Sequence, residues 1–353
     1  MEKERPSSLI RSISKLKYRE REFEWWGPSP DEARKLQVAK LKSLRDKRTT
    51  LKKAVKEFVK DGINLGIGGF VNARAPIAIV HEIIRHGARN LTLSFQSQSV
   101  ATELLAGAMI LDADRISIKR VELAYWSYEN IGLAPLFRYL VTHGMIELDD
   151  YTNYGMSARF KAAAMGVPFL PTRDHGGTDM ELVNRGKMIK CPFTGKNVYA
   201  VPACHPDVGI IHVQVADKFG NCRIFGPLCT CPELAVASVN TIVTTEEIVP
   251  VASTRRYPNL TEIPFAAVDA VIHQPYGGYP GAVYSFNWFD QDHKRMFRDI
   301  SEEFRVTGDK SKLEEYYNKY IFGCKSFDEF LGKMPYKQLS DARRLDGGQA
   351  VIL

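Results

Sequence analysis

The sequence predicts an α/β fold: an open, mainly parallel sheet with helices on both faces and helical extensions at the N- and C-terminal ends. Three observations carry this expectation. Short apolar runs of strand length recur from Asp61 onward. They alternate with stretches whose apolar residues return at i, i+3 and i+4, the pattern of parallel β-α-β units. The flanks on either side are charged, with apolar and aromatic residues at helical intervals.

Residues 1–30 are charged, then aromatic at Phe23, Trp25 and Trp26, then broken by GPSP. The two tryptophans are expected to pack against the main body or a partner. Asp31 is the expected cap of a helix that begins at Glu32, carries Leu36, Val38, Leu41 and Leu44, and runs to about Arg48. Thr49 or Thr50 caps the next helix, with Leu51, Ala54, Val55, Phe58 and Val59 on one side. INLGIGGF is a strand ending in glycines, and Pro76 opens a helix that stops at Gly87.

Further strands are expected at 91–96, 115–126, 145–150, 167–172, 198–203, 208–217 and 237–249, with a final one inside 265–278. Helices are expected at 102–109, 136–143, 159–165 and 232–236. Residues 291–337 return to helical, charged sequence. No repeat divides the chain. The organisation read from this is a basic helical segment over 1–48, an α/β domain over 49–290 and a helical segment over 291–353.

Composition bounds the function class. The net charge of +7 gathers in residues 1–60, which hold 18 Lys/Arg against 9 Asp/Glu. That arm reads as a solvated helix or a subunit contact, or as a lure for an anionic ligand. No nucleic-acid fold signature accompanies it, so nucleic acid is not an expected partner. No apolar run reaches the ~18–20 residues of a membrane span, and no membrane association is expected. The opening stretch lacks the apolar centre of a secretory leader, so a cytoplasmic location is expected. The six cysteines are then expected to be free thiols. Cys229 and Cys231, with Cys204-His205 upstream, lack the paired CxxC spacing of a zinc site, and no metal is expected.

The sharpest local signal is Asp61-Gly62 followed by Leu65, Ile67, Gly68-Gly69-Phe70 and Pro76. Glycines at a strand end let the backbone approach a ligand, and a helix starting just beyond aims its N–H groups at the same place. A phosphate, a carboxylate or a developing oxyanion suits that geometry; a plain glycine turn between strand and helix is the competing reading. The G-x-G-x-x-G spacing of dinucleotide-binding folds is absent.

These residues resemble the A-subunit signature of class I coenzyme A transferases, in which Asp-Gly precedes Gly-Gly-Phe, three residues, Gly, one residue and Pro. The chain departs from it at Gly66, where an apolar residue is usual, and at Arg74, where the family has Gly. The resemblance is to glutaconate CoA-transferase α subunits and extends through Glu129-Asn130 and the following Gly-Leu-Ala-Pro, through Tyr151 to Tyr154, 165–173, 176–179, PFTG at 192–195, VPA at 201–203, 207–221 and 244–249. It implies a CoA-transferase-like α/β fold. It implies an enzyme that moves CoA between an acyl-CoA and a carboxylic acid, active only in α2β2 or α4β4 assembly with a B-type (β) subunit, with no cofactor beyond coenzyme A itself. In the family a B-subunit glutamate, in a Ser-Glu-Asn-Gly type motif, forms the glutamyl-CoA thioester; this sequence holds no such motif.

The same superfamily includes ring-cleaving acyl-CoA hydrolases that use an A-subunit glutamate, and Glu129 is the candidate for that role here. Glu129 also reads as a structural carboxylate or as a pocket residue that positions substrate. A non-catalytic CoA-binding or scaffold subunit is a further alternative. The expected substrate or CoA contacts are Gly68, Gly69, Phe70, Gln96, Gln98, Asn130, Asn153, Tyr154 and Arg173. The amides of Gln96 and Gln98 suit a carboxylate or thioester oxygen, and Arg173, beside Asp174 and His175, suits a substrate carboxylate. Asn153 and Tyr154 stand where a helix cap competes with a substrate contact. The aromatic run Tyr276, Tyr279, Tyr284, Phe286, Trp288 and Phe289 suits a bulky acyl group, core packing or an interface.

Overall fold

The computed structural model describes residues 23–40 and 42–344. Strands β1 (Asn64–Ile67), β2 (Ala88–Gln98), β3 (Ile116–Trp126) and β4 (Glu147–Asp150) come first in the chain. Next come β5 (Phe169–Thr172), β6 (Lys187–Lys190) and β7 (Asn197–Pro202). Last are β8 (Val208–Asp217), β9 (Cys222–Arg223), β10 (Asn240–Val249) and β11 (Ala270–His273).

The large sheet runs β11-β10-β8-β1-β2-β3-β4, and every one of those pairings is parallel. Only β9, folded back on β8 through the 218–221 turn, is antiparallel within it. This is the expected open, mainly parallel sheet. The alternation does not extend to the runs at 167–172 and 198–203. These form, with β6, a separate three-stranded antiparallel sheet ordered β5-β7-β6. Short apolar runs carry no information about strand direction, and β6 (KMIK) has too little apolar character to stand out in the sequence.

The helices are α1 (Pro30–Ala39), α2 (Leu51–Phe58), α3 (Ile77–His86), α4 (Val100–Leu111), α5 (Pro135–Thr142), α6 (Asn153–Met165) and α7 (Met180–Val183). They continue with α8 (Cys231–Ala237), α9 (Val251–Arg256), α10 (Gln291–Thr307), α11 (Ser311–Tyr317), α12 (Phe327–Leu331) and α13 (Tyr336–Arg343). Two cores lie on the two faces of the large sheet. Neighbouring strand residues alternate between them, as the pleat requires: Ile210 and Ile242 face one side, Ile211 and Val243 the other. The first core is closed by α2, α3, α4 and α5 and also by Phe297, Phe304, Tyr317, Phe327 and Phe330 of the C-terminal helices. Those helices are therefore part of the main core; each fully buried Phe or Leu there stabilises by about 2 kcal/mol. Gly107 of α4 is needed for this packing, since a Cβ would sit 2.4 Å from the Tyr317 hydroxyl.

The N-terminal segment departs from expectation. Its helix is capped by Ser29, not Asp31, through a capping box with Glu32, and ends at Ala39. Beyond it the chain is recruited to the sheet edge: Val271 donates to the Lys47 carbonyl and Thr49 donates to Val271. That pairing overrides the helical spacing through Leu44, and Leu36, Val38 and Leu44 stay exposed; Leu41 lies outside the described residues. Thr50 caps α2, one of the two expected positions.

Beneath the second core lies a buried ionic network. Glu122 of β3 accepts from Arg159 at 3.0 Å and from Arg185, and Arg185 also meets Asp149 at 2.7 Å. The Cys204 thiol donates to the same carboxylate at 3.1 Å. Arg185 stacks 3.9 Å from the Trp26 ring and donates to the Glu24 carbonyl, which fixes the N-terminal tryptophan against the body. Burial by itself would raise the Glu122 pKa, but the Arg159 and Arg185 charges outweigh it and hold it at about 2. The group is thus depressed, so its contribution is complete above its unfolded value of about 4.5 and fades as pH falls toward about 2. Glu122→Ala is expected to cost about 3–5 kcal/mol at pH 7, because the buried Arg159 guanidinium loses its carboxylate and Arg185 keeps only Asp149. It should also flatten the acid limb of stability. Urea unfolding of both proteins from pH 7 to pH 3 checks this.

Candidate functional site

The C-terminal edge of the large sheet is where the chain turns most sharply. After β1 it reverses within residues 68–74. Gly69 has φ +84°, and a Cβ there would meet the Arg74 carbonyl at 2.5 Å, so only glycine fits. Val71 (φ +46°) and Arg74 (φ +52°) are left-handed in the same turn. Glu129 stands in loop 127–134, Cys229 and Thr230 in loop 226–230, and Tyr276 and Ser285 in loop 274–289. Of the eight left-handed non-glycine residues among those described, only Asn90 lies elsewhere. Such strain, worth about 1–3 kcal/mol at each position, gathers where a fold holds a site in shape.

The turn is held tightly by its own chain. Gly68 N donates to the Ile210 carbonyl (2.9 Å), Gly69 N to the Cys231 Sγ (3.2 Å), Phe70 N to Ala73 and Val71 N to Ser97. Arg74 N donates to Ala282, and Ala78 N in the first turn of α3 donates to the Gly277 carbonyl. The expectation that Gly68 and Gly69 offer free N–H groups is therefore corrected, and Ala78 N at the start of α3 is likewise taken. Acceptors from β8, β2, α8 and the loop after β11 take most of them, and Gly68 and Gly69 are buried. Phe70 is partly exposed.

The two glutamines likewise serve backbone. Gln98 is fully buried and donates to the Gly68 carbonyl at 2.7 Å. Gln96 donates to the Asn153 carbonyl and to Ser157. Both leave their Oε1 buried without a hydrogen-bond partner; unsatisfied acceptors are rare in cores and common at sites. Asn153 is exposed at the start of α6, with Oδ1 accepting from Ser97, while the α6 cap is Thr152. Tyr154 is 65% exposed.

Glu129 and Asn130 are both exposed in a short 3₁₀ turn that follows β3. Glu103 of α4 steadies the far side of this loop by accepting from Leu136 and Phe137 in the first turn of α5, and burial pushes its carboxyl up to about 8. The structure thus brings Gly68, Gly69, Phe70, Gln96, Gln98, Glu129, Asn130, Asn153 and Tyr154 to one edge of the sheet. Arg173 is exposed after β5, where its charge acts on Cys191 of the small-sheet hairpin. Its neighbour Asp174 accepts from Thr152, and His175 packs between Tyr151 and Tyr199.

Sequence reasoning missed three residues. Cys231 fastens Gly69 and lies near Arg74. Asn72 accepts from Lys294, a fully buried residue in the first turn of α10. Burial lowers the Lys294 pKa to about 8, with Glu129 opposing, and its amine stands 5.0 Å from the Phe289 ring. A lysine in a charged helix gives no signal of burial. The Cys-Thr-Cys spacing did, as buried or pocket-lining thiols; among the described residues no three His, Cys, Asp or Glu side chains form a metal-holding group.

The aromatic run divides. Tyr279 is core, bonded to Asp290, while Tyr284, Trp288 and Phe289 form a chain of ring contacts above the turn. Helix α13 ties this loop down. Trp288 N donates to the Ala342 carbonyl, the Tyr276 hydroxyl to Leu339, and Arg343 lies 3.7 Å from the buried Glu246.

The profile of the Coenzyme A transferase family matches residues 48–274. The chain belongs to the coenzyme A transferase family. Within that family it is 32% identical to the A subunit of 3-oxoadipate CoA-transferase from Pseudomonas knackmussii, over 81% of this chain and 97% of that one. It is 30% identical to the A subunit of glutaconate CoA-transferase from Acidaminococcus fermentans, over 84% and 95%. The crystal structure of the latter enzyme superposes with a TM-score of 0.77, covering 85% of this chain and 96% of that one. A cholesterol ring-cleaving hydrolase IpdA subunit of Rhodococcus jostii is 28% identical over 67% of this chain and 81% of its own length. The fold of this family member is thus that of glutaconate CoA-transferase. No described helix is long and apolar enough to cross a membrane.

Gly69→Ala tests the tightness of the turn. A methyl group at φ +84° and 2.5 Å from the Arg74 carbonyl is expected to cost about 2–3 kcal/mol. Thermal unfolding of the variant should show a midpoint several degrees below wild type; an unchanged midpoint would mean that the turn yields.

Proposed function

We propose that this chain is the A (α) subunit of a heteromeric CoA-transferase that moves CoA between an acyl-CoA and a carboxylic acid. The observation that carries the reading is the half-built character of the sheet edge. The backbone donors of Gly68, Gly69, Phe70 and Val71 are spent within the chain. Around it lie exposed polar and apolar groups: Glu129, Asn130, Leu133, Tyr154 and Leu228. A thioester bound there needs an attacking carboxylate and further donors from a second polypeptide. The relatives named above are A subunits, and this sequence lacks a Ser-Glu-Asn-Gly string; both facts support the same division of labour. On this reading residues 49–290 carry the transferase domain, and the C-terminal helices complete its first core.

The steps follow from carboxylate and thiolate chemistry. A B-subunit glutamate carboxylate attacks the thioester carbonyl, the C–S bond breaks, and the CoA thiolate leaves an acyl-glutamyl anhydride. The thiolate then attacks the glutamyl carbonyl, which expels the first acid and leaves the glutamyl-CoA thioester. An incoming carboxylate attacks that thioester, and the returning thiolate completes the exchange. The part assigned to this chain is to hold the acyl group and thioester against the turn and to exclude water.

A second reading, C–C hydrolysis with Glu129 as the base, is favoured by the strained, exposed placement of Glu129 after β3 (φ +55°). The two readings separate cleanly. For the transferase, borohydride added with acyl-CoA should abolish turnover and leave a reduced glutamyl residue on the partner chain, while Glu129→Gln retains at least about a tenth of the rate. Loss of about a thousandfold in Glu129→Gln, with nothing trapped, would transfer the assignment to hydrolysis.

A further inference from the structure

A cleft of about 580 Å³ opens at the end of the large sheet opposite the glycine turn. Its walls include Arg85, Asp112, Arg115, Asn318, Phe322 and Lys325. Strand β2 starts beside it at Ala88 and reaches the turn at Gln98. At ~3.3 Å per residue the two places are about 33 Å apart. The family profile stops at residue 274, so the wall of Asn318, Phe322 and Lys325 lies outside the matched region.

That wall has an uncommon backbone. Asn318–Phe322 is a π-turn, and Gly323 N donates to the Asn318 carbonyl at 2.9 Å. A Cβ on Gly323 would lie 2.3 Å from that oxygen, so the turn requires glycine. Single π-turns gather at functional sites, and both end residues of this one line the cleft. Phe322 is partly exposed, and the Arg115 guanidinium lies 5.1 Å from its ring centre. The cations come from separate segments. Arg85, in the last turn of α3, is paired with Glu82 at 2.8 Å. Arg115, just ahead of β3, spends Nε on Asp112 and Nη1 on the Arg85 carbonyl. Closing the end of α3 accounts for those two bonds. It leaves Arg115 Nη2 uncommitted on a side chain that is 44% exposed. It also leaves Lys325, exposed ahead of α12, whose amine has no carboxylate partner among the described residues.

We propose that this cleft is a second ligand site, for a nucleotide: a phosphate-bearing anion with a planar base. Its volume falls within the ~300–1,000 Å³ of small-molecule sites, more than inorganic phosphate fills. Cations on separate segments suit the several oxygens of a phosphate group; a lone carboxylate pairs best with one guanidinium fork. The Phe322 ring and the flat Arg115 guanidinium offer a surface on which a base stacks. The C-terminal ends of α3 and α4 point here and oppose an anion, and Arg85 and Arg115 stand at those ends and offset them. The site is apart from the sheet edge assigned to CoA transfer and does not depend on that reading.

Calorimetric titration of the full-length chain with ADP, adenosine and inorganic phosphate tests this in wild type, Arg115→Ala, Lys325→Ala and Phe322→Leu. Wild type should bind ADP at least about tenfold more tightly than adenosine or phosphate. Arg115→Ala should weaken ADP at least about tenfold, and Lys325→Ala about fivefold. Phe322→Leu keeps an apolar side chain against the first core and should bring ADP toward the level of phosphate. The unfolding midpoint of Lys325→Ala should stay near that of wild type, because the side chain is exposed and unpaired. No ADP binding by wild type, or ADP binding unchanged in both Arg115→Ala and Lys325→Ala, overturns the site; in the second case the nucleotide lies elsewhere. Should Arg115→Ala lower the midpoint sharply, Lys325→Ala decides alone, and unchanged ADP binding there overturns the site. ADP bound no more tightly than phosphate, or unaffected by Phe322→Leu, overturns the base contact and with it the nucleotide. ADP bound no more tightly than adenosine overturns the phosphate contact. The titration reads binding without turnover, so its failure leaves the CoA-transfer reading where it stands.

Discussion

The reversal at residues 68–74 leaves the backbone no spare room, and the loops around it are arranged by that fact. A side chain at Gly69 would strike the carbonyl of Arg74. The amides of the turn take their acceptors from Ile210, Ser97, Ala282 and the sulfur of Cys231. Those groups come from β8, from β2, from the loop after β11 and from α8. The end of one short central strand is thereby the junction of segments more than two hundred residues apart in the sequence. A parallel sheet places its ligands at such an edge because the loops there are free of strand pairing, and here the junction itself decides which loops can line it.

The two faces of the sheet are stabilised by different means. One is closed by aliphatic and aromatic side chains, and the C-terminal helices complete it. The other holds the Glu122–Arg159–Arg185–Asp149 network under its apolar layer. Ionic networks of this kind hold geometry more than they add stability. This one fixes Trp26 and the N-terminal segment against β3 and the small sheet, the neighbourhood of the loop that carries Asp174 and His175.

Much of the fold was legible because burial on both faces writes parallel strands as apolar runs separated by helical periods. What escaped was set by contacts distant in sequence. Nothing local distinguishes the runs that became the antiparallel β5 and β7 from those that joined the large sheet. The helical spacing around Leu44 lost to pairing of Lys47 and Thr49 with Val271. At the candidate site, the glycine turn and Glu129-Asn130 were visible as motifs, since strand-end glycines and loop polars have local chemistry. The roles of the glutamines were not: Gln98 and Gln96 brace backbone, which requires knowing that Gly68 and Ser157 lie opposite them. Lys294 was invisible because only packing shows it buried.

The attachment of α13 has a bearing on how the far end of the chain relates to the sheet edge. Ala342 and Leu339 are bonded to Trp288 and Tyr276, and those two residues belong to the aromatic loop above the glycine turn. The last described helix therefore serves as a clasp on a loop that precedes it by some fifty residues. Anything fused close behind Arg343, or any cut made ahead of Tyr336, acts on the shape of that loop as directly as a substitution within it.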